Sequence, residues 1–282
     1  MRRGHFEAFA PVCPACRRGA EASPLRLARV LRGDADLVEQ GLLHCTNHGC
    51  RREYPILDGI PLLVADLRAH VAHGLLHLLA RDDVDDVLMS ALGDCAGPES
   101  PLHTMRSHLS HYADGHYSDL DPERPRPPAI LELQSQALAL LPAPVVAPAV
   151  VLGCSVGREC FALADRLDGP VLGLDLNFAM LRLAARVART GRLRYPRRRV
   201  GLVFDPVDVA AAFAGAERID FWLADAAALP LAPGAAAFAT SLNLIDCVPD
   251  PLAHVRELDR VVRPGGAAVL ATPYDWSPAA TA

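Results

Sequence analysis

Residues 149–183 read AVVLGCSVGRECFALADRLDGPVLGLDLNFAMLRL, and this stretch decides the fold. It begins with an apolar run at 150–152. A turn of small residues follows: Gly153, Cys154, Ser155, Val156 and Gly157. Phe161, Leu163, Ala164 and Leu167 then recur at helical spacing, and a second apolar run at 171–174 ends in Asp175. Strand, tight turn, helix, strand and acid, in that order, make a βαβ unit. Gly153 and Gly157 let the backbone turn sharply and let a ligand approach it closely. The helix N-terminus behind them offers unpaired N–H groups to an anion. Asp175 ends the second strand, where a carboxylate can accept two ribose hydroxyls.

Reading on from Asp175, a helix is expected over 177–190 and strands over 219–224 and 236–242. The first of these strands leads into Asp225 and Ala226, the second into Asn243. A helix over 249–262, a turn at Arg263-Pro264-Gly265-Gly266 and a strand over 267–272 complete the pattern. Open α/β sheets bind ligands at the carboxyl ends of their strands, so Gly153, Asp175, Asp225 and Asn243 converge on one crevice. Between the helix and the 219–224 strand lies GRLRYPRRR, residues 191–199. It reads either as a phosphate or RNA contact or as an exposed β-hairpin or loop. A net charge of −5 and only 5% aromatic residues favour the hairpin, because the chain has neither a basic surface nor many stacking platforms.

Upstream, 130–141 has a helical pattern, and DPERPRPP at 121–128 is a stiff connector. Residues 102–118 carry His103, His108, His111, Tyr112, His116 and Tyr117. An imidazole or phenol here can orient or deprotonate a substrate, and Tyr112, His116 and Tyr117 are the substrate-facing candidates. Residues 66–94 look helical, with His70, His73 and His77 on one face that reads as solvated. At the start, Cys13-Pro-Ala-Cys16 and Cys45-Thr-Asn-His-Gly-Cys50 form C-x2-C and C-x4-C pairs. Four thiolates so paired suit tetrahedral Zn2+, and so small a module benefits from a metal clip. His48 lies inside the second pair and could replace one thiol. Asp58-Gly59 reads as a hairpin turn between two short apolar strands.

With 282 residues, 51% of them hydrophobic, the chain can bury one sizeable core plus a small extra module. Its start lacks an apolar signal region. The longest apolar run, 137–154, is interrupted by Pro142, Pro144 and Pro148. A cytoplasmic location without a membrane span is therefore expected. Eight cysteines in such a chain point to metal ligands or buried thiols rather than a disulfide framework.

GCSVGR, the acid in LGLDLN, FWLADAAALPL and the late RPGG, in this order, resemble the class I S-adenosylmethionine (SAM)-dependent methyltransferases over about residues 130–275. The resemblance implies a Rossmann-like, doubly wound, mostly parallel α/β sheet. It implies SAM as cofactor, held by Gly153, Cys154, Ser155, Gly157, Asp175, Leu176, Asp225, Ala226 and Asn243. In the family, the acid at Asp225 accepts the adenine amino group. Tyr54-Pro55, followed by Gly59-Ile60-Pro61, resembles the C-terminal half of Trm112-like zinc ribbons, which implies a structural or partner-binding role for that module. Departures are Val151 where the family usually has an acid, Ser155 where glycine is common, and Phe238-Ala239 in place of a Phe-Asp pair. The sequence ends at Ala282, so the family's last two strands are not expected.

The organisation read from these features is a zinc-ribbon-like module at 1–65, a helical connector or cap at 66–128, and a methyltransferase domain at 129–282. The expected activity is SAM-dependent methyl transfer to a small-molecule or peptide acceptor. Positioning and desolvation can carry most of that rate, so no catalytic acid or base need stand out. Two other readings start from the same residues: RNA methylation with the zinc module on RNA, and a non-enzymatic scaffold that meets a protein partner through that module.

Overall fold

Nine strands form one sheet in the computed structural model, which describes residues 1–17, 22–71, 89 and 96–276. Helix α1 (Arg3–Phe9) leads into four strands: β1 (Leu25–Gly33), β2 (Val38–Cys45), β3 (Glu53–Leu57) and β4 (Ile60–Leu63). These pair antiparallel in sequence. Asp58 and Gly59 turn β3 into β4 with φ of 49° and 80°, as a tight hairpin requires. Helix α2 (Pro101–His116) starts at Ser100, whose hydroxyl accepts the His103 N–H, and α3 (Ala129–Ala139) follows.

The βαβ unit is β5 (Ala149–Leu152), α4 (Arg158–Arg166) and β6 (Val171–Asp175). Then come α5 (Phe178–Thr190), β7 (Arg192–Val200), β8 (Val203–Ala210), β9 (Ile219–Ala224), β10 (Ala236–Leu242), α6 (Pro251–Val261) and β11 (Val262–Ala271). The sheet order is β1-β2-β3-β4-β9-β6-β5-β10-β11, parallel from β4 onward. β5, β9 and β10 are buried along their whole length, as strands covered by helices on both faces must be. The chain leaves β5 toward β6 on one side and returns to β10 on the other, so β5 flanks the switch point where such sheets bind ligands.

Three findings refine the expected architecture. First, the 1–65 segment adds its strands to the same sheet: β4 lies parallel to β9, with Leu62 opposite Leu223 and Leu63 opposite Ala224. An apolar β9 with an open edge would leave buried N–H and C=O groups unpaired, and β4 pairs them. Second, the Arg263–Gly266 turn lies inside β11. Ala236 faces Val262 and Phe238 faces Ala267, so the strand bulges there, and a side chain at Gly266 would come within 2.6 Å of the Ala237 carbonyl. Third, β7 and β8 form a separate two-stranded hairpin, one of the two forms the exposed reading of 191–199 allows. Of the histidine face at His70, His73 and His77, the last two lie outside the described residues.

Candidate functional site

Gly153, Asp175, Asp225 and Asn243 follow β5, β6, β9 and β10, which are adjacent in the order β9-β6-β5-β10, so their carboxyl ends line one edge of the sheet. The glycine turn is tied down from within. The Gly153 and Cys154 N–H groups donate to the Leu174 carbonyl at 2.8 and 3.0 Å, and Gly157 donates to Cys154 at 2.8 Å. Gly153 and Gly157 have φ of 71° and 82°. A side chain at Gly157 would meet Ala184 at 2.7 Å and Phe221 at 2.8 Å, and one at Gly153 would meet Leu244 at 2.9 Å. Both positions therefore require glycine for conformation and for space.

Asp175 is the hinge of this site. Its Oδ2 accepts the Ser155 N–H at 2.8 Å and its Oδ1 accepts the Asn177 N–H at 2.8 Å. One carboxylate thus fastens the turn to the end of β6, and each oxygen keeps a lone pair for another donor. Burial raises its pKa, while the N–H groups of Asn177, Ser155 and Leu176 pull it back down. The neighbouring Leu176 is 46% exposed, a half-covered apolar side chain at the strand edge. Ser155, at φ 50°, donates its hydroxyl to the Met180 sulfur at 3.2 Å. Cys154 is buried.

The second acid has its own supports. Asp225 Oδ1 accepts the Ala227 N–H at 2.8 Å. The Ala226 carbonyl lies 3.2 Å from His254 Nδ1, whose Nε2 lies 2.8 Å from the Ser241 hydroxyl. A carbonyl can only accept, so Nδ1 carries the proton and Nε2 accepts from Ser241. Burial lowers the His254 pKa, which keeps this neutral tautomer. Asn243 has φ 55°, and its N–H donates to Ala271 at 2.8 Å, holding the end of β10.

Helix α2 covers the site with mixed results for the three aromatic candidates. Tyr112 is 40% exposed, and burial of the rest of its side chain raises its hydroxyl pKa, with Cys247 and Asp175 adding to the rise. His116 stacks edge-on to Tyr112 at 5.8 Å. Its Nδ1 is buried without a hydrogen-bond partner, and burial, with His111 and Arg158 nearby, pushes its pKa down to about 4. It is thus a neutral imidazole at physiological pH. Tyr117 lies elsewhere: it is 3% exposed, and its hydroxyl donates to the Val156 carbonyl at 2.7 Å, bracing the glycine turn from behind.

Several residues of this region carried no motif. Asp246 is 1% exposed and accepts the Thr272 hydroxyl at 2.9 Å and the Asp275 N–H at 3.0 Å, fastening the chain after β11 to the end of β10. Glu159 is buried beneath the glycine turn and accepts the Thr240 hydroxyl.

The four cysteines meet in space. The sulfurs of Cys13, Cys16, Cys45 and Cys50 all lie within 4.8 Å of one another, with Cys13–Cys50 at 3.9 Å and Cys16–Cys45 at 3.6 Å. Four Zn–S bonds of about 2.3 Å set tetrahedral sulfurs about 3.8 Å apart, so the cluster has the size of a zinc site. The Cys16 and Arg17 N–H groups fold back on the Cys13 carbonyl, both at 3.2 Å, forming the first knuckle. The Tyr54 hydroxyl lies 3.2 Å from the Cys13 sulfur and Asn47 Nδ2 lies 3.7 Å from Cys16, placed as the outer donors such a centre uses. Burial pushes the Cys45 thiol up to about 12 and raises Cys16, while hydrogen bonds lower Cys50; a bound cation would favour the thiolate form of all four. His48 is outside the cluster.

Three arginines of the basic run are paired locally. Arg192 pairs with Asp208 at 2.7 Å, Arg197 with Asp121 at 3.1 Å and Arg199 with Asp205 at 2.5 Å. A polar cleft of about 1080 Å³ opens between α2 and the hairpin, lined by both signs of charge, including Asp114, Asp121, Arg124 and Arg197. Among the described residues no helix is long and apolar enough to cross a membrane.

Residues 150–270 match the family described as "Methyltransferase domain". The arsenite methyltransferase of Aquipseudomonas alcaligenes is 31% identical over 131 residues, covering 43% of this chain and 33% of that protein. The chain thus spans about a third of that relative's length. A SAM-dependent methyltransferase from Methanosarcina mazei is 25% identical with a TM-score of 0.32, covering 43% of this chain and 50% of that one. A putative S-adenosyl-L-methionine-dependent methyltransferase from Methanococcus maripaludis is 16% identical with a TM-score of 0.40, covering 58% and 61%.

Proposed function

We propose that this chain is a SAM-dependent methyltransferase acting on a small-molecule or peptide acceptor, built around a structural Zn2+ centre of the Trm112-like type. The observation that carries the reading is Asp175: a carboxylate at the end of β6, tied to the glycine turn and flanked by an exposed Leu176. These residues fit the nucleoside. Asp175 offers acceptors to the ribose diol, Leu176 offers apolar cover to the adenine, and Asp225 and Ala226 read its edge from a loop that His254 steadies. Gly153, Ser155 and Gly157 leave the methionine end a wall of backbone. When bound, SAM supplies a methyl group on a sulfonium. The protein's share is to orient the acceptor and exclude water, for which Tyr112 and neutral His116 on α2 are the groups at hand.

Cys13, Cys16, Cys45 and Cys50 would hold the zinc. The paired Arg192, Arg197 and Arg199 speak against an RNA acceptor, since each is matched by its own aspartate. The test is calorimetry with SAM and S-adenosylhomocysteine. A charge-assisted hydrogen bond contributes about 1.5–3 kcal/mol, so Asp175→Ala should weaken binding by about tenfold to a hundredfold. Asp175→Asn, which keeps one acceptor oxygen, should lie between. No heat with the wild-type chain would remove the transferase reading in favour of a binding or scaffold role. An unchanged affinity in Asp175→Ala would place the nucleoside elsewhere.

A further inference from the structure

The four-cysteine centre and the 225–231 loop lie against one another, and two charged residues join them. Arg17 follows the first knuckle, and its Nη1 donates to Glu257 Oε1 at 2.6 Å. Both side chains are about nine-tenths buried, at 11% and 10% exposure. Glu257 stands on α6, and its Oε2 accepts the Leu229 N–H at 2.8 Å. Arg260 completes the lock: it donates to both Glu257 oxygens, at 3.0 and 2.8 Å, and to the carbonyls of Leu231 at 2.7 Å and Leu229 at 3.2 Å. The Val12 N–H, just before the first cysteine, donates to the Pro230 carbonyl at 2.9 Å. Cys13, Cys45, Leu229 and Leu231 share one apolar cluster. The loop is therefore gripped at both ends, by His254 at Ala226 and by Glu257 at Leu229, with Asp225 just before the first grip.

We propose that Arg17 and Glu257 are positioning residues through which the cysteine centre fixes the 225–231 loop, so that metal at the cysteines tightens nucleoside binding at Asp225. This rests on the SAM and zinc reading above. The physical argument is one of stakes. A buried carboxylate needs its partners, and removing one strongly destabilises the arrangement that remains. Arg17 can reach Glu257 only while the knuckle keeps its fold, and the knuckle turns on the Cys13 carbonyl. Losing the metal frees the knuckle, and among the described residues Glu257 then keeps Arg260 as its cationic partner. The coupling is reciprocal, so nucleoside should also slow metal loss.

The test uses the full chain with one zinc bound, the same chain after chelation, and the variants Arg17→Met and Arg17→Lys. Two quantities are read: affinity for S-adenosylhomocysteine by calorimetry, and exchange of the Leu229 amide with solvent. Zinc content should stay at one per chain in Arg17→Met, while affinity falls about five- to tenfold and Leu229 exchange rises by a similar factor. Arg17→Lys should recover most of both. Chelation of the wild-type chain should produce the same loss, and chelation of Arg17→Met little more. The inference is overturned if zinc-loaded Arg17→Met matches wild type in both readouts, or if chelation weakens the two proteins equally. If Arg17→Met does not fold, Arg17→Lys and chelation of the wild type carry the same readouts. If the wild type binds no S-adenosylhomocysteine, the SAM reading fails, and Leu229 exchange alone decides: faster exchange on chelation upholds the clamp, and unchanged exchange refutes it.

Discussion

Glu159 makes the protein's stability depend on pH in a direction opposite to that of most carboxylates. It sits in the first turn of α4, directly after the glycine turn, buried, with the Thr240 hydroxyl as its partner. Two effects compete there. The helix N-terminus favours a negative charge by at most about 2 kcal/mol. Burial of an ion costs several kcal/mol. Burial wins, and it pushes the carboxyl from an ordinary 4.5 up to about 7, with the Thr240 bond recovering only part of the cost. The folded protein therefore holds this proton more tightly than the unfolded chain. Stability from the neutral side chain is present in full below pH 4.5 and is lost as pH rises through about 7. A tenfold change in proton affinity corresponds to about 1.4 kcal/mol, so the full loss by about pH 8 is on the order of 3 kcal/mol. Glu159→Gln keeps the shape and an acceptor for Thr240 but cannot ionise. Urea unfolding of both proteins at a series of pH values isolates the effect, because all other groups cancel in the difference. Glu159→Gln should gain on the wild type by about 3 kcal/mol between roughly pH 5 and pH 8. Parallel stability curves would show that the helix end or water compensates the charge, and would refute the argument.

Zinc analysis of carefully prepared protein should find one metal per chain, and Cys13→Ser should lower that content. Because β4 joins the main sheet and Cys13 shares its core, chelation should lower the melting temperature of the whole chain rather than unfold residues 1–65 alone; a melting curve unmoved by chelation would contradict this. Replacing Arg197, Arg198 and Arg199 together by Ala should leave retention of RNA on a filter unchanged, since Arg197 and Arg199 already hold aspartates; micromolar RNA binding lost in the variant would reverse the conclusion.

What the sequence made legible was local, and what it hid was remote. Apolar runs bounded by turn residues placed β5, β6, β9 and β10 correctly, because a buried strand must be apolar along its length. The pairing of β4 with β9 joins residues some 160 positions apart and leaves no local mark beyond the apolar Leu62 and Leu63. The polar residues that matter most did leave a mark, in the phase of their helices. Glu159 precedes Leu163 by four residues, so the spacing that buries one buries the other. His254, Glu257, Leu258 and Val261 likewise share the buried face of α6. An ionisable residue in the apolar phase of an amphipathic helix must find a partner or give up its charge, since an unpaired buried charge costs more than a small domain can bear. Spacing thus identifies Glu159 and Glu257 as anchored residues. It cannot identify Thr240 or Arg17 as their anchors, because those partners arrive through the sheet and the cysteine knuckle.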